Sequence, residues 1–332
     1  MSGEHALGTL LPDALVWDNH ACMPLEADCA HMGELGRCRG AGIDIVSLNI
    51  SSGDLPSAQA LPVLAAFRAW VNDHSEHYVL IGSAAEARQA KASGRLGVCF
   101  DIEGMTALDG DPEMVGRYYE LGVRWMLSAY NHANLAGGGC LDDDDGGLTA
   151  FGRAVVREMN RAGMVVCGSH AGERTALELI DASQAPVIFS HSNPRAVWDS
   201  PRNIGDPVMR ACAARGGVVG LNGIGAFLGR NDTRIETFVR HVRYAIDLIG
   251  EDHVGIALDY CFGMENAMVD FALLYPRLFP LEHGYQQDGL RMIAPWQLSQ
   301  VAETLLAAGM QARTLGKLFG GNHLRIAQTV WR

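Results

Sequence analysis

Residues able to bind a metal ion or move a proton follow apolar runs at intervals along the chain: His20 with Cys22, Glu103, His170, His191 and Asp259. Tyr130 and Asn131 follow another such run. Imidazole nitrogen and carboxylate oxygen are the donors that suit Zn²⁺ or a similar divalent ion. One histidine beside an apolar strand is more often a core or loop residue than a ligand, so the weight lies in repetition. Here three histidines and a carboxylate come from four such places. Glu103 closes Val98-Cys99-Phe100-Asp101-Ile102-Glu103-Gly104, and a carboxylate in that setting is costly to bury without a cation or hydrogen-bond donors. Its bland alternative is a helix cap or loop acid. Asp259, ending Gly255-Ile256-Ala257-Leu258-Asp259, suits a proton shuttle or metal neighbour, with a cap again the alternative.

To bring these side chains together, the elements must share one end. Short segments rich in Val, Ile and Leu recur at 15–21, 43–50, 96–103, 123–130, 164–170, 187–191, 218–223 and 254–259. Between them lie helical stretches at 58–72 with 83–92, 149–162, 175–183, 207–215 and 236–249, and 296–308 follows the last. Strands alternating with helices predict a parallel sheet. In 149–162, Phe151, Val155, Val156 and Met159 share one face while Arg153, Arg157 and Arg161 share another, the pattern of a helix coating a sheet. The expectation is an α/β fold, a (β/α)8 TIM barrel of the metal-dependent hydrolase type, in which polar residues at the C-terminal strand ends form the active-site face. An open doubly wound sheet would give a similar strand count. No repeat or linker divides the chain, so residues 1–332 read as a single domain with long loops near 136–147 and 276–291.

Composition narrows the partners. A formal charge of −12 argues against nucleic acid or an anionic membrane, since phosphate binding needs clustered positive charge. Several of the eight cysteines sit in apolar runs, Cys99, Cys167 and Cys212 among them, and read as reduced thiols. There is no signal-like leader or membrane-length apolar window, and the expected location is cytoplasmic. Asp142 to Asp145 lack the spacing of a calcium loop and read as a solvated turn. His132, His241, His253, His283 and His323 show no partner pattern and read as surface or structural. No GxGxxG, Walker or G-x-S-x-G arrangement is present, which leaves nucleotide binding and serine hydrolysis without support.

A resemblance runs through most of the chain. It is carried by Ser128-Ala129-Tyr130-Asn131, Gly147-Leu148-Thr149-Ala150-Phe151-Gly152, Val156-Arg157-Glu158-Met159-Asn160-Arg161-Ala162-Gly163 and Ser169-His170. It continues through Pro186-Val187-Ile188-Phe189-Ser190-His191-Ser192-Asn193-Pro194-Arg195-Ala196, Arg202-Asn203 and Gly321-Asn322-His323-Leu324-Arg325. Together these resemble the membrane (renal) dipeptidase family, the M19 metallopeptidases, and especially its bacterial members. The resemblance implies two zinc ions bridged by Glu103, with His170 and His191 as later ligands. A His-x-Asp pair holds the family's first metal, and here that position reads His20-Ala21-Cys22. Arg202 resembles the arginine that binds the substrate carboxylate, Asp259 the catalytic-site aspartate, and Tyr130 stands where the mammalian enzyme has a substrate-contacting histidine. Asn131 is grouped with Tyr130 and Arg202 as substrate-binding.

The implied activity is that of a zinc-dependent dipeptidase, cleaving the amide bond of a small dipeptide or dipeptide-like substrate by a metal-activated hydroxide, in a homodimer. One or two ions per chain are expected. Cys22 leaves two readings open, a thiolate ligand or a weak first site, and the weak site is favoured because nothing nearby in sequence replaces the lost carboxylate. Two alternatives stand beside this function: an amidohydrolase acting on a non-dipeptide amide or specialised metabolite, and a non-catalytic metal-binding homologue with an altered first site.

Overall fold

The computed structural model describes residues 7–264, 275–283, 285 and 289–332. Its strands are β1 (Trp17–Cys22), β2 (Ile45–Ser52), β3 (Tyr78–Leu80), β4 (Leu96–Glu103), β5 (Val123–Leu127), β6 (Val165–Cys167), β7 (Ile188–Phe189), β8 (Val218–Leu221), β9 (Val254–Ile256) and β10 (Tyr260–Cys261). They pair in the order β10-β1-β2-β4-β5-β6-β7-β8-β9. Every neighbouring pair in this order is parallel, from β1 on β10 and β2 through β8 on β9. β9 pairs with β8, and the same stretch of chain a few residues later, as β10, pairs with β1. That closes a (β/α)8 barrel whose eighth stave is split in two.

Two features escaped the pattern of the sequence. β3 pairs with the first residues of β4, Tyr78 opposite Leu96, between two helices read as one unit. The second is a bulge in β1, where Asp18 pairs with Val46 but Ala21 with Leu48. One extra residue there turns the strand over, so Trp17 and His20 both face inward although three residues apart. Bulges re-aim side chains in this way next to active sites. The helix Ala150–Ala162 forms as its residues dictate: the Thr149 hydroxyl caps it by accepting from Gly152 N–H, and Gly163 at φ +87° ends it.

Val46, Leu48, Val98, Phe100, Ile102, Val166, Phe189 and Leu221 join the apolar layer against the helices. Trp17, Ile45 and Cys99 on one side and Trp125, Cys167, Ile188 and Val218 on the other fill the closed end with residues of the terminal helix Asn322–Val330. No helix among the described residues is long and apolar enough to cross a membrane. Within the loop at 136–147, Asp142 and Asp145 make turns: Asp142 accepts from Gly139 N–H and Asp145 from the N–H groups of Gly147 and Thr175. Residues 284 and 286–288 of the loop expected at 276–291 lie outside the described residues.

His323 and His241 are buried, and each Nε2 donates to a backbone carbonyl, of Ile256 and Leu228 respectively, at 3.0 Å. Burial pushes both imidazoles down to about 4 from 6.5, against the raising effect of those carbonyls. The fold therefore holds them neutral, while the unfolded chain takes up protons below about 6.5. Stability falls as pH drops from 6.5 to 4, by about 1.4 kcal/mol per pH unit for each residue, and levels off below. Urea unfolding across this range should show the stability advantage of wild type over His323→Gln shrinking by about that slope. A pH-independent difference would refute it.

Candidate metal centre and active site

His20 ends the bulged part of β1, Glu103 ends β4, and His170, His191 and Asp259 follow β6, β7 and β9. At two of these turns the chain enters the left-handed region, with φ +63° at His170 and +58° at Asp259, and it does so again after β5, with φ +59° at Asn131. That conformation is uncommon outside glycine and clusters at functional sites. Here it bends the strand ends inward over the barrel mouth.

Glu103 Oε1 lies 3.1 Å from His191 Nε2, 3.2 Å from His170 Nε2 and 3.5 Å from His20 Nε2. Despite these neighbours it is buried and accepts no hydrogen bond. The imidazole tautomers explain why. Asn131 Nδ2 donates to Leu278 O at 2.8 Å, so its Oδ1 faces His170 Nδ1, 2.6 Å away, and must accept from it. Ser190 donates to Ser169 and accepts from His191 Nδ1 at 2.7 Å. Both rings thus turn bare Nε2 lone pairs toward each other, 3.0 Å apart. Burial first, then the charges of Arg202 and His20, holds both imidazoles well below their usual range and therefore neutral. Two lone pairs and a carboxylate oxygen converging in a buried space repel one another unless a cation lies between them, so these residues fit a divalent metal.

A candidate first metal position lies beside this candidate second one. His20 Nδ1 is 3.3 Å from Asp101 Oδ2, a carboxylate–histidine pair that orients Nε2 inward. His20 Nε2 is 3.4 Å from both Asp259 Oδ1 and Cys22 Sγ, and the Cys22 thiol donates to Asp259 Oδ1 at 3.7 Å. The ligand atoms of His20, Cys22 and Asp259 all lie within 4.8 Å of one another, as do those of His20, Glu103 and His191. Burial carries the Glu103 carboxyl up to about 8, helped by Asp259 and Asp101 and opposed by His20 and Arg202. For His20, burial disfavours the cation but is outweighed by Asp101 and Glu103, which raise it well above 6.5. Asp101, Glu103 and Asp259 thus crowd acidic groups around His20.

A cavity of about 650 Å³ opens onto these groups. Tyr130 lines it and stacks on His170 with centroids 4.4 Å apart. Asn131 does not line it; its amide joins His170 to Leu278. Arg202 stands behind the wall, its guanidinium 5.6 Å from the ring centroid of the cavity-lining Phe227. It is buried, donates to His191 O at 3.0 Å and Ser192 Oγ at 3.3 Å, and leaves Nε unpartnered. The other walls are largely apolar, with Met23, Leu25, Ile224, Leu278 and Phe279 among them.

Sequence reasoning missed the residues that hold the ligands: Asp101, Ser190, Asn49 and Asn222. Asn49 donates to Asp101 at 2.9 Å, and Asn222 to Asp259 Oδ2 at 2.8 Å. The signal for Asp101 was present, because strand alternation places it on the same face as Glu103. Asn131→Ala removes the acceptor that fixes the His170 tautomer, and we expect metal affinity to weaken about 10- to 100-fold. Titration against a chelating indicator measures this, and unchanged affinity would sink the positioning role.

The Klebsiella pneumoniae "uncharacterized protein in pqqA 5′region" is 31% identical over 267 residues, 75% of this chain and 88% of that protein. The dipeptidase verJ of Clonostachys rogersoniana is 29% identical over 74% of this chain and 65% of its own length. Among solved structures, an amidohydrolase from Pseudomonas aeruginosa superposes with a TM-score of 0.87 at 27% identity, covering 98% of this chain and 99% of the other. A metallo peptidase from Rhodobacter sphaeroides shares the fold, with a TM-score of 0.78 at 22% identity over 96% of this chain and 100% of the other. Residues 56–294 match the model of the membrane dipeptidase family. Most of the barrel lies inside that match, and the chain belongs to the membrane dipeptidase family, peptidase family M19, as a metallo-dipeptidase-type hydrolase.

Proposed function

We propose that the protein is a zinc-dependent dipeptidase that hydrolyses a small dipeptide or dipeptide-like amide bearing a free carboxylate. The observation that carries this reading is the convergence of two neutral imidazoles on the unpartnered Glu103 oxygen. His170, His191 and Glu103 would hold one ion and His20, Glu103 and Asp259 a second, with Cys22 beside it. Bound zinc supplies Lewis acidity and lowers the pKa of water to about 7.

The chain's own residues do the rest. Arg202 is a buried cation with no carboxylate partner among the described residues, and an unpaired buried charge calls for an anion. The terminal carboxylate of a substrate would answer that need by charge-assisted hydrogen bonds where the Phe227 ring, which screens the guanidinium from the cavity, turns aside. Asp259, its Oδ2 fixed by Asn222, turns Oδ1 to the centre and can carry a proton toward the leaving amine. Phe227, Phe279 and Leu278 exclude water around the scissile bond. The breadth of the apolar wall favours a second reading, an amide substrate larger and more apolar than a simple dipeptide.

A panel of dipeptides with L and D residues at the C-terminal position tests the proposal. Amino acids should be released, chelator should stop the release, and Zn²⁺ should restore it. Metal-replete protein inert toward the whole panel would overturn the dipeptidase reading, and activity confined to bulky non-peptide amides would establish the second.

A further inference from the structure

The two metal positions differ in donor chemistry. At the first, Cys22 and Cys261 are aligned partners of the parallel pair β1 and β10, and both thiols are free. Cys22 Sγ faces His20 Nε2 at 3.4 Å and Asp259 Oδ1 at 3.7 Å. Buried Glu103 Oε1, which accepts no hydrogen bond, faces the same His20 nitrogen at 3.5 Å. A cysteine that merely filled space would turn its sulfur to apolar neighbours. This sulfur faces a nitrogen and a carboxylate oxygen. Asp259, 237 residues along the chain from Cys22, brings a carboxylate oxygen to the same place, so sulfur is not the only anionic donor there.

We infer that the first position is a mixed nitrogen, oxygen and sulfur site in which the Cys22 thiolate is a ligand, selecting thiophilic divalent ions over hard ones such as Mg²⁺ or Mn²⁺. The inference rests on the metallopeptidase reading above. Imidazole and thiolate suit zinc and cobalt, whereas an all-oxygen set suits harder ions. On binding, the Cys22 S–H bond is replaced by an S–metal bond and the proton leaves to water, with Asp259 Oδ1 the carboxylate nearest to relay it; no electrons change hands. Cys261 is a positioning residue. Its thiol donates to Asp259 O at 3.6 Å, which helps to hold the turn that carries the Asp259 carboxylate.

The full chain loaded with Co²⁺ tests this without reference to turnover. Wild type should show visible cobalt bands together with a near-ultraviolet sulfur-to-cobalt charge-transfer band. Cys22→Ser should lose the charge-transfer band and keep visible bands from the second position. Cys261→Ala should keep the charge-transfer band, because its thiol is hydrogen-bonded to Asp259 O and is not in the ligand set; loss of the band in this variant alone would make Cys261 the sulfur ligand and overturn the assignment to Cys22. In competition, Cys22→Asp should shift occupancy from Zn²⁺ toward Mn²⁺ by at least about tenfold. Visible bands with no charge transfer in wild type, or charge transfer that survives Cys22→Ser, would remove Cys22 from the ligand set and leave the metal centre standing. Absence of every cobalt band would overturn the metal centre and this inference together.

Discussion

Glu103→Ala is expected to strip metal from the centre and to lower turnover at least a thousandfold. Glu103 Oε1 lies within 3.5 Å of all three imidazole Nε2 atoms, so its removal takes charge from both positions at once. Loss of preorganised electrostatic stabilisation costs about a hundred- to a thousandfold in rate, and loss of the ion that supplies the nucleophile adds to that. Elemental analysis of dialysed protein gives the metal content and a chelator-controlled assay gives the rate. Stripped variant and stripped wild type should unfold at similar urea concentrations, because the substitution removes an unpartnered buried carboxylate and not a favourable contact. Wild-type metal content with unimpaired turnover would overturn the assignment.

Arg202→Met should lower kcat/KM for dipeptides with a free carboxylate by about a hundredfold or more, and change it little for the same peptides amidated at that end. The side chain is 2% exposed with Nε unpartnered. Removing one member of a buried, hydrogen-bonded charge pair costs about 2–5 kcal/mol, and wild type should lose a comparable amount on amidation. Arg202→Lys should fall between, since a single ammonium keeps charge but not the paired geometry of guanidinium. Because Arg202 also donates to His191 O and Ser192 Oγ, a general disturbance would lower both substrate series equally, and that result would refute the carboxylate role.

The barrel was legible because its outward strand residues alternate with helix-coating stretches, and all eight staves fall within a few residues of their apolar runs. His20, Glu103, His170, His191 and Asp259 were legible for a related reason, as polar groups just past strands that pack on both faces. What stayed hidden depends on local backbone geometry. The bulge in β1 follows no residue pattern yet decides that His20 faces inward with Trp17. The roles of Asn131 and Arg202 look alike in sequence, but one side chain carries a ligand and the other lies behind Phe227. Asp101 and Ser190 went unnoticed because residues inside a strand or beside a ligand read as packing until their partners are seen.

The amide of Asn131 ties together two things usually treated apart, the protonation state of an imidazole and the position of a cavity wall. Its nitrogen is held by Leu278 O and its oxygen by His170 Nδ1. Displacing Leu278 frees the amide to flip, which offers His170 a donor where it had an acceptor and favours the tautomer whose Nε2 carries the proton. The ring then cannot bind a cation. Thermodynamic linkage makes the coupling reciprocal: whatever favours a bare Nε2 on His170 also favours the Leu278 carbonyl on the Asn131 amide. The imidazole's protonation and the seat of Leu278 are therefore coupled through one side-chain amide, beside the His132 Nε2 bond to Arg277 O at 2.8 Å that holds the same segment.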